Sequence, residues 1–316
     1  MFGKKLVKEM IGRSAENATD RRRFLQSAGA VGLGVVGAGL LSGGASAAPD
    51  ESLAAQEEAA VTAAPSDGAV LNFALNLEYL EAEFYLHAVN GEGLASTFTS
   101  GKGTLGGVTG GRKVTFETAA VRQYAQEIAN DERAHVNFLR GALGSAAVAR
   151  PAINIRDSFT AAARAAKLIG ANDTFDPYAN ENNFLLAAYL FEDVGVTAYK
   201  GAAPLISNKT YLEAAAGILA VEAYHAATIR TSLFEKGLSE QVQKLSDARN
   251  ALDGAANDDQ GLMINDRANI NPTNKSGIAF SRTPGRVLNI VYLNPGKVSK
   301  GGFYPKGVNG SVRVSG

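Results

Sequence analysis

The chain has 316 residues, with 31 basic and 31 acidic side chains and no cysteine. That absence excludes iron-sulfur clusters, thiolate zinc sites, disulfides and a cysteine nucleophile, so any metal must be held by oxygen and nitrogen donors. The formal charge is zero; seven basic and three acidic residues fall within 1–47 and the remainder is mildly acidic, which argues against a nucleic-acid partner.

Near the amino terminus, Asp20-Arg21-Arg22-Arg23-Phe24-Leu25-Gln26 precedes a Gly-rich apolar run from Ala28 to Leu41 and then Ala45-Ser46-Ala47. The pattern resembles a twin-arginine export signal cleaved after Ala47. Its apolar run is shorter than the ~20 residues that span a bilayer. The expectation is therefore a mature chain in the periplasm, outside the cell or in the cell envelope, with no stable membrane span after processing. Residues 48–65 read as a polar linker.

Four long helices follow. The first is predicted over Asp67–Val89, capped by Ser66 or Asp67, with Leu71, Leu75, Glu78, Ala82 and Tyr85 on one stripe. Asn90–Thr115 is glycine-rich and reads as a surface insertion, drawn as a hairpin. Its Gly101-x-Gly103-x-x-Gly106 has the bare dinucleotide spacing but no βαβ unit around it, so nucleotide binding is not expected. The second helix, Phe116–Leu143, aligns Ala125, Ile128, Glu132, His135 and Leu139 at steps of three and four.

A crossover from Gly144 to Asn180 holds a short helix over Asp157–Ile169. The third helix, Glu181–Lys200, aligns Leu185, Ala188, Glu192, Val196 and Tyr199, and the fourth, Asn208–Lys236, aligns Ala215, Ile218, Glu222, His225 and Ile229. The chain thus reads as an all-α bundle over 66–252, two copies of a helix pair joined by one long crossover. A mostly irregular extension follows over 253–316, in which Arg286–Tyr292 suggests a short strand or a segment wrapping the bundle.

Chemistry enters through Glu132-x-x-His135 and Glu222-x-x-His225. On composition alone, two of three histidines preceded by Glu at this spacing is about a one per cent coincidence. Residues i and i+3 share a helix face, so each pair aims a carboxylate and an imidazole at one point. The preceding helix in each copy adds Glu78 or Glu192. Four inward carboxylates need countercharge, yet no Lys or Arg falls within the first helix, between Lys167 and Lys200, or between Lys209 and Arg230. Two divalent cations with two neutral imidazoles would balance them. Glu81 shares part of the Glu78 face, whereas Glu83 turns away. His87 reads as structural or exposed, and Asp131 and Asp193, adjacent in sequence to proposed ligands, read as solvated.

At these residues the chain resembles the ferritin-like di-iron or di-manganese carboxylate proteins. Leu71-Asn-Phe-Ala-Leu-Asn-Leu-Glu78-Tyr-Leu-Glu-Ala-Glu-Phe-Tyr85, the export signal, Ala279-Phe-Ser-Arg282-Thr-Pro284 and Gly301-Gly-Phe303 resemble more narrowly the desiccation-related branch of that group. The resemblance implies a ferritin-like four-helix bundle, with Glu132 and Glu222 bridging two iron or manganese ions. Glu78 and His135 would complete one ion, and Glu192 and His225 the other. It also implies dioxygen or peroxide as substrate, with Tyr85 and Tyr199 either hydrogen-bonding near the ligands or simply filling core. A non-enzymatic stress or surface protein, iron sequestration without turnover, and a homo-oligomer stay open at this point.

Overall fold

The first helix dictates the architecture because it is apolar on nearly every face, and such a helix must be covered on all sides. In the computed structural model, which describes residues 64–254 and 258–316, α1 (Asp67–Asn90) is buried along most of its length. The predicted export signal, the proposed cleavage point and the linker up to residue 63 lie outside the described residues.

Helix α1 packs along α2 (Ala119–Leu143), and α4 (Glu181–Ala202) packs along α5 (Lys209–Glu235), with the two pairs facing each other across a looser seam. Between the pairs runs the crossover that carries α3 (Asp157–Ala165). Helices α1 and α4 are buried nearly all round, whereas α2 and α5 bury one face.

Local chemistry sets the helix boundaries. Ser66 caps α1 by accepting from Ala69 N at 3.3 Å. Asp67 is not the cap of its own helix; it accepts from Ser207 N and Asn208 N at 2.7 and 2.8 Å, tying the start of α1 to the start of α5. The predicted start of the second helix at Phe116 is corrected to Ala119. Glu181 takes the backbone N–H groups of Glu117 and Thr118 at 2.9 and 2.8 Å, which holds both residues out of the helix.

The glycine-rich insertion is not a hairpin. Its strand β1 (Val108–Thr109) pairs in parallel with β2 (Ile153–Asn154) of the crossover. Lys102 N donates to Ala147 O at 2.8 Å and Gly106 N to Arg150 O at 2.9 Å. A side chain at Gly101 or Gly106 would overlap the backbone of residues 147–149 or 151–152, so close backbone approach explains these glycines without any nucleotide.

After α5, α6 (Ser239–Asp253) returns against α3 and α4. A two-residue antiparallel pair follows, β3 (Met263–Ile264) with β4 (Arg267–Ala268). The Arg286–Tyr292 stretch is mostly helix, not strand: α7 spans Pro284–Val291 and packs on α4 and α6. Thr283 caps it and Pro284 occupies its first turn, and this start signal outweighs the β-branched content that suggested a strand.

A buried ionic clasp ties the extension to the bundle. Arg230, Arg249 and Arg282 are fully enclosed. Asp193 accepts from Arg230 Nη1 at 2.8 Å and from Arg249 Nη2 at 3.0 Å, and Asp259 joins Arg249 to Arg282. Arg282 also reaches Asp253 at 2.5 Å and Thr197 Oγ1 at 2.8 Å, and the Arg249 guanidinium lies 4.3 Å from the centre of the Tyr189 ring. Asp193, expected to be solvated, is instead buried in this clasp, because α6 and the extension close over the face of α4 that points away from the seam.

Removing one member of such a network strands its partners without countercharge. Arg282→Ala is expected to lower stability by about 3–5 kcal/mol, read as a shift of the urea-unfolding midpoint. A loss within about 1 kcal/mol, the range of an exposed pair, would contradict the description of the clasp.

Candidate metal centre

The seam between the two helix pairs brings together all six side chains singled out from the sequence. Glu78 comes from α1, Glu132 and His135 from α2, Glu192 from α4, and Glu222 and His225 from α5, and every one is buried. Donor atoms of Glu78, Glu132, His135 and Glu222 lie within 4.8 Å of one another, as do those of Glu132, Glu192 and His225. Glu132 belongs to both groups and sits between them, whereas Glu222 falls only in the first. The two imidazole centres are 6.4 Å apart.

His135 Nδ1 lies 3.2 Å from Glu78 Oε2, 3.6 Å from Glu132 Oε2 and 3.7 Å from Glu222 Oε1. His225 Nδ1 lies 3.1 Å from Glu132 Oε1 and 3.6 Å from Glu192 Oε2. In both rings, then, Nδ1 faces the cluster.

The outer partners hold these groups in place. Tyr85 of α1 donates to Glu192 Oε1 of α4, and Tyr199 of α4 donates to Glu78 Oε1 of α1. The tyrosines thus cross between the helix pairs, each fixing one oxygen of the opposite copy's carboxylate and leaving its other oxygen toward the cluster. His225 Nε2 meets Asp131 Oδ2 at 3.1 Å. Asp131, expected to be solvated, is half-exposed yet orients this ring. It diverges from Glu132 around α2, as helix geometry requires, and reaches α5 along the outer edge, a contact set by where α5 lies.

Electrostatics identify what the cluster lacks. Both oxygens of Glu132, both of Glu222, Glu192 Oε2 and His225 Nδ1 are enclosed without a hydrogen-bond partner. Among the described residues, no Lys or Arg pairs with any of the four carboxylates. The buried cations serve other acids: Arg230 and Arg249 hold Asp193, and Arg150 holds Glu83. Glu83 is therefore turned from the cluster as expected, though buried, and His87 supports it from the side at 3.5 Å.

Burial, reinforced by Glu132, lifts the Glu78 carboxyl to about 7 even against the pull of His135. Burial and Glu132 together likewise lift Glu192 to about 8. Burial and the neighbouring carboxylates push Glu222 and Glu81 well above the ordinary range. Desolvation alone would lower the histidines, but Glu78 and Glu132 hold His135 up at about 11 and Glu192 with Asp131 hold His225 up at about 10. Glu132 is also desolvated, yet the two imidazoles beside it win and lower it. Without a cation, the cluster gathers protons where positive charge is missing.

The donor set fits a metal. Carboxylate oxygens and imidazole nitrogens suit divalent iron, manganese or zinc, the partnerless atoms converge, and the ligands are themselves hydrogen-bonded from behind as metal ligands usually are. Glu81, three residues from Glu78, reaches the edge of the cluster without joining either donor group. Tyr85 and Tyr199 carried a weak signal in sequence through their matched spacing after Glu78 and Glu192.

Residues 66–235 match the family model described as "Ferritin-like domain". The chain is 32% identical over 267 residues to "Desiccation-related protein PCC13-62" of Craterostigma plantagineum, covering 78% of this chain and 83% of that protein. It is 28% identical over 264 residues to "Ferritin-like catalase Nec2" of Nesocodon mauritianus, covering 77% and 83%. No solved structure gives a significant match.

Because the two imidazoles, held up at about 11 and 10, keep their protons at neutral pH in the metal-free chain, a metal would have to displace them. Loading at pH 7 is expected to release about two protons per chain from the imidazoles alone. Apparent affinity then rises with pH, since each site proton is easier to remove. Calorimetry in buffers of different ionisation enthalpy checks this, and a binding heat independent of buffer would contradict it. Asp131→Ala should weaken metal binding about 10- to 100-fold by freeing the His225 ring, measured by competition with a chelator.

Proposed function

The chain belongs to the ferritin-like domain family, and from that membership we propose that its buried cluster binds two iron or manganese ions and disproportionates hydrogen peroxide as part of stress protection. The observation that carries this reading is the set of enclosed carboxylate oxygens on Glu132 and Glu222 that make no hydrogen bond and, among the described residues, have no Lys or Arg beside them. A relative named as a catalase and another named for desiccation support the direction.

In this reading Glu78, Glu132, His135 and Glu222 hold one ion and Glu132, Glu192 and His225 the other, with Glu132 shared. A redox pair, when bound, would relay two electrons from one peroxide molecule, oxidised to dioxygen with loss of two protons, to another, which takes up both protons and becomes two waters. The chain's own residues provide the setting. Tyr85 and Tyr199 keep Glu192 and Glu78 in position, Asp131 fixes the His225 ring, and the surrounding core keeps bulk water out. The shared, buried carboxylate of Glu132 would couple two ions whose donor sets differ, since Glu222 belongs only to the first.

We propose also that residues 1–47 direct export by the twin-arginine route, on the strength of Arg21-Arg22-Arg23 and the short apolar run behind them. Replacing all three arginines by lysine should leave the protein inside the cell, seen by fractionation.

Metal analysis of the purified mature chain should find about two Fe or Mn, and added peroxide should yield oxygen in a one-to-two ratio. His135→Ala and His225→Ala should each lower metal content and reduce turnover by at least about 100-fold. A chain that binds no metal after reconstitution, or one that keeps full turnover without either histidine, would overturn the assignment.

A further inference from the structure

Glu81 is a buried acid that neither the clasp nor the metal ligand set employs. Its residue is 5% exposed, yet among the described residues no hydrogen bond or ion pair reaches its carboxylate. It differs from the ligands in one respect. The free oxygens of Glu132, Glu192 and Glu222 are sealed, whereas those of Glu81 are not among the sealed partnerless atoms.

The reason is a crevice on the outer side of the α1–α4 seam. Leu77, Leu80 and Glu81 of α1 line it on one side, Val194 and Gly195 of α4 on the other, and Val291 of α7 stands over it. Its cavity is about 10 Å³, close to the volume of a single water-sized probe.

Gly195 joins this crevice to the cluster. A methyl group at that position would lie 2.5 Å from Glu222 Oε2 and 3.5 Å from Glu81 Oε1. A mid-helix glycine costs about 0.5–1 kcal/mol relative to alanine, and here its missing side chain lets the Glu222 carboxylate lie against the α4 backbone, next to Glu81. Glu81 therefore stands between the outside and Glu222, one turn of α1 beyond Glu78.

We propose that the crevice between α1 and α4 is the route by which a small, uncharged O–H substrate of the size of hydrogen peroxide reaches the metal centre, and that Glu81 is the residue that binds it there by hydrogen bonding. The route excludes bulky peroxides by width and leaves anions unfavoured, because Glu81 lines it and, among the described residues, no Lys or Arg does. The mechanical role of the extension follows: Val291 on α7 sets the width of the mouth. This rests on the peroxide reading of the centre.

The test uses the metal-loaded full-length mature protein carrying Glu81→Gln, Glu81→Leu or Val194→Ala. Metal content reads whether Glu81 is a ligand, nitric oxide association with the ferrous protein reads access, and oxygen release from hydrogen peroxide and tert-butyl hydroperoxide reads turnover. The expected result is unchanged metal stoichiometry in all three variants and at least a tenfold fall in kcat/KM for hydrogen peroxide in both Glu81 variants. Nitric oxide association should rise severalfold in Val194→Ala, together with new turnover of the bulkier peroxide.

Metal loss in both Glu81 variants would make Glu81 a ligand and overturn the proposal. Full turnover without Glu81, or access unaffected by Val194→Ala, overturns it too while leaving a peroxide-active wild type standing. A wild type that holds metal but consumes no peroxide instead removes the underlying reading and this proposal with it.

Discussion

Four carboxylates that pair with no lysine or arginine among the described residues, Glu78, Glu132, Glu192 and Glu222, are confined in the seam between two helix pairs, and the rest of the structure is arranged around that fact. Isolated charges in a dry interior are among the most unfavourable arrangements a fold can contain. Here they are tolerated because each carboxylate has at least one imidazole or tyrosine hydroxyl beside it and because the empty side of every ligand faces the same centre. Stability and function are opposed in such a site: the buried donors that cost the metal-free chain stability are the ones that would give a metal its binding free energy.

The protein handles its two kinds of buried charge differently. In the clasp, Arg230, Arg249 and Arg282 meet Asp193, Asp253 and Asp259 with planar guanidinium forks, so charge is matched within the chain. In the seam the match is withheld. Glu192 and Asp193 are consecutive residues on α4, yet one faces the unpaired cluster and the other the paired clasp, on faces about 100° apart. One helix thus separates the reactive site from the structural lock.

The insertion and the extension complete the enclosure. Helix α1 carries apolar residues on all sides, so two helix pairs alone would leave part of it wet. Tyr304 of the extension donates to Asn76 O at 2.7 Å, and Asn309 meets the Asn76 side chain, which covers that flank. The insertion covers another, with Val114 N bonded to Ala88 O at 2.8 Å. These segments look like decoration on a helical core, but they supply the low-dielectric surroundings on which the site depends.

The four bundle helices, their pairing by internal repeat and the six inward donors were legible in the sequence, because helix periodicity is a local property and Glu-x-x-His at i, i+3 fixes a shared direction without reference to any partner. What was not legible involves contacts between segments distant along the chain. Asp193 neighbours a ligand in sequence and its spacing points it to solvent, yet it is buried, since its arginines arrive from α5 and α6; the spacing of Asp131 points outward too, and only the placement of α5 gives it His225. Gly101 and Gly106 proved to be sites of backbone approach to the crossover, and Arg286–Tyr292 became mostly helix once Thr283 and Pro284 set its start. Sequence by itself determined which faces of each helix are apolar and which carry chemistry, because side-chain direction follows from helical pitch. Tertiary structure alone decided which charges are paired and which are left for a ligand, because pairing depends on distances through space that no spacing along the chain encodes.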